Sequence, residues 1–505
     1  MKKSISLYKI NSFAISTLLI FFLISSCQKH LSVGEFTDGM SSYAPYHTDT
    51  NIIVWKNPGA TQADFNQWKI NHNLTSNKRI ASACPFCDGD DPLELYAGVS
   101  IQTLIQGSTG GGSGCTGTHC GPSGGGDDTA YFSYNLPMFL PNPTAPVDSV
   151  DPNNKVLESY KKNYPLPTNI NLASQDGFPG QPVTVAVFDT GIDTTLTNKY
   201  CSGLSSVCDE RAVRGWNFNY GTPNTQDDYP HRHGSAVSKF IIDQVIQYSN
   251  QKINIIPVKI HDSLGRSSLY NVLCAIVYAS KSNVNIINAS FGFYWDDINT
   301  TPLLLGEFIK HYLTQKGILM VAAAGNAEEY DDTFALNHHL VPPSQLRNLD
   351  YHPFYPASFA GKTGYDNVIA VTTGEIVPAY GGISPFQNYS PDYVDVAVNC
   401  DINFFVHPPS ANTEFGFYDP LGRTIGTGGQ LIIAGSSYST PIITGKIAAY
   451  YNTLTNGMVG ASTPNSINKD ELFNRMHNQG LTNSETVNLT SKIKGGKYAI
   501  RNVSF

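Results

Sequence analysis

From about residue 180 onward, the sequence alternates between short apolar runs and longer amphipathic segments. The first run, Val183–Phe188, is apolar at almost every position, as in a strand buried on both faces of a sheet. Similar runs lie at 253–260, 284–289, 318–323 and 368–371. Between them, apolar residues recur at helical spacing, as in Val237, Phe240, Ile241 and Val245; Leu269, Val272, Leu273, Ile276 and Val277; and Leu305, Phe308, Ile309 and Tyr312. This alternation predicts an α/β fold, with right-handed crossovers, a parallel sheet and helices on both faces.

Three polar residues occupy special positions in this pattern. Asp189 ends the first strand, and functional groups in such sheets gather at the carboxyl ends of strands. His233 begins an amphipathic helix, and Ser437 lies in a turn of small residues followed by Pro441. Because proline suits the first turn of a helix, the pattern predicts that Ser437 lies at a helix N-terminus. Free N–H groups and a partial positive charge at that position stabilise an oxyanion.

The motifs around these residues resemble those of the subtilisin-like serine proteases, or subtilases. Asp189 lies in Val-Phe-Asp-Thr-Gly, His233 in His-Gly-Ser-Ala-Val and Ser437 in Gly-Ser-Ser-Tyr-Ser-Thr-Pro. The resemblance implies that Ser437 is the nucleophile, His233 the general base and Asp189 the carboxylate that orients the histidine. His231 is not followed by glycine and precedes the helix, so it is not expected to be the base.

Two further segments resemble the same family. Ala322–Asn326 is similar to its Ala-Ala-Gly-Asn motif, which implies that the Asn326 amide donates to the oxyanion. Ile287–Gly292 is similar to the strand that pairs with the substrate backbone. The substrate-binding residues implied by the resemblance are Ser290, Phe291, Gly292, Ala324 and Gly325, with the first side-chain pocket between these two segments.

The chain departs from the family pattern at supporting positions. Ser235 and Ala236 replace Thr and His, and Ser436 and Tyr438 replace Thr and Met. These changes bear on rate and specificity more than on mechanism. Two stretches, 328–352 and 400–429, look inserted, and loops of this length often carry specificity or regulation.

The resemblance covers about 180–505 and implies a serine endopeptidase that hydrolyses peptide bonds. An aspartic protease also uses Asp-Thr-Gly, but it needs two carboxylates, and the sequence has no second Asp-Thr-Gly or Asp-Ser-Gly. The remaining alternative is a catalytically silent binding protein on the same scaffold, anchored at the cell surface. We expect the substrates to be proteins or peptides and the protein to be a monomer. No metal ligands can be assigned from the sequence, although the resemblance leaves a structural calcium ion open. With a net charge of −8, the chain is unsuited to nucleic acid.

The N-terminus has the pattern of an export signal. Three lysines precede the apolar run Phe13–Ile24, which is short for a membrane span. The run ends in Leu-Ile-Ser-Ser-Cys, which resembles a bacterial lipobox and predicts a lipoprotein signal peptide over 1–27 with lipidation of Cys27. An ordinary signal peptide with a chance cysteine is the alternative. The lipoprotein interpretation predicts a lipid-anchored protein of the bacterial cell envelope, held at the outer membrane and facing either the periplasm or the outside.

Residues 28–175 form a smaller N-terminal region of uncertain fold, ahead of a peptidase domain at 176–505. A strand at 51–55 and a helix at 60–70 resemble the start of an inhibitory propeptide, so we interpret the region as propeptide-like or accessory. The stretch 107–128 is rich in glycine and serine and predicts a flexible loop or linker.

Eight cysteines follow Cys27, and an even number in an exported chain favours disulfides. The cysteines close in sequence are Cys84 with Cys87, Cys115 with Cys120, and Cys201 with Cys208, which leaves Cys274 and Cys400. A zinc site formed by the first four is the less favoured alternative.

Overall fold

The computed structural model describes residues 51–81, 84–87, 92–99, 104, 125–126, 128–140, 156–157, 182–193, 196, 215–248, 252–295, 301–327, 329–375, 382–405, 413–425, 429–455, 469–478, 482–483, 489, 491–496 and 498–499. Cys27, the predicted signal peptide and most of the predicted linker at 107–128 lie outside these ranges. The boundaries at 28–175 and 176–505 stay predictions.

An antiparallel sheet and one helix form the first described part of the chain. The strands are β1 (Ile52–Lys56), β2 (Arg79–Ala81), β3 (Leu93–Tyr96), β4 (Gly125–Gly126) and β5 (Ala130–Tyr134), in the order β2-β3-β1-β5-β4. Helix α1 (Gln62–Asn71) is capped by Thr61, whose hydroxyl accepts the Asp64 N–H at 3.1 Å. The helix buries Phe65 and Trp68 against the sheet. We call this part the N-terminal sheet; its β1 and α1 correspond to the predicted strand and helix.

The strands that follow, in chain order, are β6 (Pro137–Phe139), β7 (Val156–Leu157), β8 (Val183–Asp189), β9 (Trp216–Asn217), β10 (Ile253–Lys259), β11 (Arg266–Ser268), β12 (Ile286–Ala289), β13 (Phe293–Tyr294), β14 (Leu319–Ala323), β15 (Phe354–Tyr355), β16 (Val368–Gly374), β17 (Val396–Asn399), β18 (Ile402–Phe405), β19 (Thr413–Tyr418), β20 (Thr424–Ile425), β21 (Gly429–Ala434), β22 (Thr482–Asn483) and β23 (Tyr498–Ala499). Nine of them form the main sheet, in the order β22-β23-β17-β16-β14-β12-β8-β10-β9. All neighbours in this sheet are parallel except β22 and β23. The predicted α/β fold with a parallel sheet is confirmed.

The helices after α1 are α2 (His233–Tyr248), α3 (Leu269–Lys281), α4 (Leu303–Phe308), α5 (Glu329–Asn337), α6 (Ser436–Ala449), α7 (Tyr451–Thr455) and α8 (Lys469–Asn478). They cover both faces of the main sheet, as predicted. Alternate residues of β8 show this: Val185 and Val187 pack with α2 and α6, whereas Ala186 and Phe188 pack with α3 and α4.

The predicted helical face from Leu305 to Tyr312 is not one α-helix. Helix α4 ends at Phe308, and the chain continues as a π-helical turn, Ile309–Leu313, and a 3₁₀ turn, Thr314–Lys316. The apolar residues stay buried because the wider turn still directs Ile309 and Tyr312 inward.

The two stretches that look inserted differ in structure. Described residues of 328–352 form α5, a 3₁₀ turn (Pro343–Gln345) and connecting loops. In 400–429, β18, β19 and β20 join β21 in a second sheet, which is antiparallel except for β7, which pairs parallel with β21. The order of the main sheet places β8, β12 and β14 side by side. The loops that leave the carboxyl ends of these three strands therefore meet at one edge, where Asp189, Ser290 and Asn326 are found.

The N-terminal sheet packs against helices of the main sheet. Trp55 of β1 lies 4.4 Å from Phe308 and 6.1 Å from Tyr312, measured between ring centroids. Strand β6, which follows β5, pairs antiparallel with β11 just ahead of α3. These residues belong to the same buried cluster as the apolar residues of α3 and α4.

Cys84 and Cys274 are free thiols in the structure, and they lie in hydrogen-bonding contact although they are far apart in sequence. Burial and the neighbouring Cys274 raise the pKa of Cys84 well above its usual value. Cys87 also contacts Cys84. The other predicted close pairs, Cys115 with Cys120 and Cys201 with Cys208, lie outside the described residues.

Among the described residues, every helix falls short of the length and apolarity that a membrane crossing requires.

Candidate active site

Asp189 is fully buried at the end of β8. Its Oδ1 accepts the N–H of Thr190 at 2.7 Å. The Thr190 hydroxyl in turn accepts the N–H of Gly234 at 2.9 Å, which ties the strand end to the start of α2. Thr190, which follows Asp189, and Gly234, which follows His233, therefore hold the aspartate and the start of the helix in fixed positions relative to each other.

His233 connects Asp189 to Ser437. Its Nδ1 lies 2.8 Å from Oδ1 and 2.9 Å from Oδ2 of Asp189, and its Nε2 lies 3.1 Å from Ser437 Oγ. An ionised carboxylate only accepts hydrogen bonds, so Nδ1 carries the proton of the neutral ring and Nε2 is left as an acceptor for the serine hydroxyl. His231 lies in the preceding loop, with its ring 5.2 Å from that of Tyr229.

Ser437 is the second residue of α6 and is 4% exposed. Pro441 is the sixth residue of this helix, not part of its first turn as the sequence predicted. Because proline has no N–H, it cannot bond the carbonyl four residues earlier, which belongs to Ser437. That carbonyl instead accepts the hydroxyl of Ser290 at 2.8 Å. Pro441 thus allows a link between the turn that carries Ser437 and the predicted substrate segment.

Asn326 lies beside the turn that carries Ser437. Its Oδ1 accepts the N–H of Ser436 at 2.8 Å and the hydroxyl of the same residue at 3.2 Å. A methyl group on Gly435 would lie 3.2 Å from Ser437 Oγ and 3.4 Å from Asn326 Nδ2, so these two atoms converge on one small region. Within the described part of the chain, Nδ2 donates to no acceptor, and it is available to an oxygen bound there.

A polar network that the sequence analysis missed supports Asn326 from behind. The hydroxyl of Tyr294 donates to the Asn326 carbonyl at 2.5 Å and accepts from Arg347 at 2.7 Å. Arg347 also donates to Asn388 Oδ1 at 3.1 Å and forms an ion pair with Asp332. Burial raises the pKa of Tyr294, so its hydroxyl stays protonated and able to donate.

Asn388 extends this network to the segment before Asn326. Its Nδ2 donates to the carbonyl of Ala324 at 2.9 Å, and its N–H donates to the carbonyl of Gly325 at 3.0 Å. Arg347 and Asp332 both belong to the insertion at 328–352. The only sequence signal was the length of that insertion, which gives no indication of which residue it directs to the site.

The predicted substrate segments lie beside Ser437. Ser290 and Phe291 follow β12, and both residues are buried. Gly292, Ala324 and Gly325 complete the two segments. The ring of Phe354 lies between Gly292 and Gly325, and the sequence did not predict this contact.

Ser235 departs from the family pattern and has a structural partner. Its hydroxyl donates to Oδ2 of the buried Asp227 at 2.7 Å, and its N–H donates to the same oxygen at 2.9 Å. The Ser235 hydroxyl also accepts the N–H of Asp193 at 2.9 Å. Burial raises the pKa of Asp227, and the hydrogen bonds from Ser235 oppose that shift. The serine therefore fixes the first turn of α2 next to His233.

No group of three or more His, Cys, Asp or Glu side chains among the described residues could hold a metal ion. Two of the cysteines in the zinc alternative, Cys115 and Cys120, lie outside those residues.

The chain is similar to known proteins over the region that contains this site. A model of the Subtilase family matches residues 180–483, more than half of the chain. The thermophilic serine proteinase of Bacillus sp. (strain AK1) is 29% identical over 223 residues, which are 44% of this chain and 44% of that protein. The nisin leader peptide-processing serine protease NisP of Lactococcus lactis subsp. lactis is 24% identical over 231 residues, or 44% of this chain and 32% of that protein. The alignments thus span less than half of either relative.

Among solved structures, fervidolysin from Fervidobacterium pennivorans, a keratinolytic enzyme related to subtilisin, is similar with a TM-score of 0.50 and 15% identity. The match covers 91% of this chain and 61% of that one, and it shows a shared fold. From the family match over 180–483, the chain belongs to the subtilase family.

Proposed function

We propose that the protein is a serine endopeptidase in which Asp189, His233 and Ser437 form the catalytic triad. The observation that carries the proposal is the continuous hydrogen-bonded chain from the Asp189 carboxylate through both ring nitrogens of His233 to Ser437 Oγ. A hydroxyl bonded to the basic nitrogen of an oriented imidazole is the arrangement that activates a serine nucleophile.

In this mechanism, Ser437 Oγ attacks the peptide carbonyl while His233 Nε2 takes the hydroxyl proton. Asp189 keeps the proton of the neutral ring on Nδ1 and stabilises the imidazolium that forms. The imidazolium then gives its proton to the leaving amine, and a water molecule hydrolyses the acyl-enzyme in the reverse sequence. The oxyanion of each tetrahedral intermediate accepts hydrogen bonds from Asn326 Nδ2 and from the N–H of Ser437, the second residue of α6.

The alternative functions fit the geometry less well. An aspartic protease needs a second carboxylate beside the first, whereas the partner of Asp189 is the His233 imidazole. Binding without catalysis does not require a hydrogen bond between His233 Nε2 and the Ser437 hydroxyl, yet the two atoms lie 3.1 Å apart. Reaction with a fluorophosphonate distinguishes the two: we expect labelling of the wild-type protein at Ser437 and none in Ser437→Ala. An unlabelled, folded wild-type protein would favour the silent scaffold.

We also propose that the protein is an exported lipoprotein anchored through Cys27. The support is the sequence pattern of a positive N-terminus, a short apolar run and a lipobox-like Leu-Ile-Ser-Ser-Cys. Several acyl chains give stable membrane attachment. We expect Cys27→Ser to release the protein from the membrane fraction. The check is sedimentation after a carbonate wash, and a variant that still sediments with membranes would contradict the anchor.

A further inference from the structure

An aromatic ring fills the space between the two predicted substrate segments. A methyl group on Gly292 would lie 2.2 Å from Cε1 of Phe354, and one on Gly325 would lie 2.8 Å from Cγ and Cδ1 of the same ring. Contacts this close exist only because neither position carries a side chain. Phe354 is 4% exposed, so the ring is enclosed by its surroundings.

This space lies next to the nucleophile. The hydroxyl of Ser290, two residues before Gly292, donates to the Ser437 carbonyl at 2.8 Å. The N–H of Gly325 donates to Ser436 Oγ at 3.0 Å. Both segments are thus tied to the turn that carries Ser437. A peptide that pairs with them would direct its P1 side chain, that of the residue whose carbonyl is attacked, into the space between them.

The ring is held in place on several sides. Phe354 pairs with Tyr294 in the two-stranded β13–β15 sheet, and its N–H donates to Ser358 Oγ at 3.0 Å. The ring packs edge-on against the Tyr294 ring, at 5.0 Å between centroids and 67° between planes. Tyr294 is itself bonded to Asn326 and Arg347. Moving the ring out of the space would disturb the support of the oxyanion site, so Phe354 acts as a fixed wall.

We propose that Phe354 closes the P1 pocket and makes this chain a peptidase that cleaves after small residues such as glycine, alanine or serine. The inference rests on the proposed peptidase function and adds its substrate class. A large P1 side chain would compete with the ring for one volume, and packed interiors do not accept extra methylene groups without strain. A single methylene in a specificity pocket already changes rates by about 10- to 200-fold.

The test uses p-nitroanilide peptides that share residues P4 to P2 and carry Gly, Ala, Leu or Phe at P1. Rates are expressed per active site, titrated with a fluorophosphonate small enough not to need the pocket. For the wild-type protein we expect kcat/KM for Ala to exceed that for Phe by about 100-fold. Phe354→Ala should raise the ratio of kcat/KM for P1 Phe to kcat/KM for P1 Ala by about 100-fold. Phe354→Leu, which keeps the space partly filled, should give an intermediate preference and guards against misfolding of the alanine variant.

Phe359→Ala is the matched control. Phe359 is an equally buried ring a few residues on, and it packs against Tyr355 at 4.6 Å and Tyr365 at 4.5 Å rather than between the two substrate segments. It should keep the wild-type P1 preference. Wild-type cleavage after Phe as fast as after Ala, or equal broadening in both alanine variants, would overturn the inference while peptidase activity stands. Absence of both labelling and cleavage would overturn the proposed function and the inference with it.

Discussion

On one side of the cleft, Asp189, His233 and Ser437 come from one strand end and the first residues of two helices. The hydrogen bonds that fix them involve adjacent chain positions such as Thr190 and Gly234. We call this the triad side. On the other side, Asn326 depends on Tyr294, Arg347, Asp332 and Asn388, which come from strand β13, helix α5 and two loops. We call this the oxyanion side.

The difference concerns how each side tolerates change. In the proposed mechanism the triad side acts as a unit: Ser437 gives its proton to His233, and Asp189 orients the ring and stabilises its charged form without taking a proton. The oxyanion side is a network in which each bond contributes to the position of one amide. Loss of a member should therefore abolish activity on the triad side and reduce it by degrees on the oxyanion side.

The largest effect is expected for Ser437→Ala. Removal of the nucleophile should lower kcat by about 10⁶, the magnitude measured in a subtilisin. His233→Ala should cost a similar factor, and the double variant no more than either single variant, because the residues act as a unit. Kinetics on one peptide substrate check this. Additive losses in the double variant would show that the triad side is not a single unit.

The next effect is expected for Asn326→Ala. If Nδ2 bonds the oxyanion of the intermediate but not the bound substrate, its loss should lower kcat by about 10²–10³ with little change in KM. This magnitude is that of the equivalent donor in a subtilisin. Active-site titration followed by kinetics per titrated site measures it, alongside a thermal melt. Normal kcat per site with a lowered melting temperature would make Asn326 a structural residue only.

A smaller effect is expected for Tyr294→Phe. The change removes the hydroxyl that bridges the Asn326 carbonyl and Arg347, and a hydrogen bond of this kind contributes about 1 kcal/mol. We expect kcat to fall by up to about 10-fold with KM unchanged. Tyr451→Phe on α7 is the control, because it removes a buried hydroxyl that bonds Asn285 away from the site. Equal kinetic losses in both variants would contradict a positioning role for Tyr294.

The last prediction concerns stability rather than the rate of the reaction. His352 stacks on Tyr294 at 4.1 Å, and burial together with Arg347 lowers its pKa to about 3. An unfolded histidine has a pKa of about 6.5. At pH values between about 3 and about 6.5, His352 therefore carries a proton in the unfolded state but not in the folded state. Stability should therefore fall as pH drops from about 6.5 towards 3, by up to about 1.4 kcal/mol per pH unit from this residue.

His352→Phe should flatten that dependence while it keeps the stacked ring. Melting temperatures between pH 4 and 8 measure the effect, with both proteins carrying Ser437→Ala to prevent self-digestion. The same slope with and without His352 would exclude it as a source of acid sensitivity on the oxyanion side.

The fold class and the meeting point of Asp189, His233 and Ser437 could be predicted because the signals are local. An apolar run followed by aspartate, or a turn of small residues followed by a helical pattern, defines an element and its end within a few residues. The parallel order of β8, β12 and β14 then brings those ends together.

The oxyanion side could not be predicted in the same way. Arg347 and Phe354 reach the site because segments distant in sequence pack together, and nothing in the sequence around either residue distinguishes it from other buried side chains. The position of Pro441 was wrong for a related reason. The rule that proline belongs in the first turn assumes that a carbonyl left without a hydrogen bond costs free energy. Here the Ser437 carbonyl accepts a hydrogen bond from the hydroxyl of Ser290, which follows β12.

The packing of the N-terminal sheet has a consequence for how the chain would mature. Trp55 lies against Phe308, and β6 pairs with β11, so much of the contact is non-covalent and does not depend on an unbroken backbone. Hydrolysis of the connection between β6 and β8 would leave both contacts in place. We therefore expect a nicked protein to persist as a two-chain complex whose pieces separate on a denaturing gel but co-elute under native conditions. Release of the N-terminal piece would then be a slow dissociation step, limited by exposure of the aromatic surface around Phe308 to water.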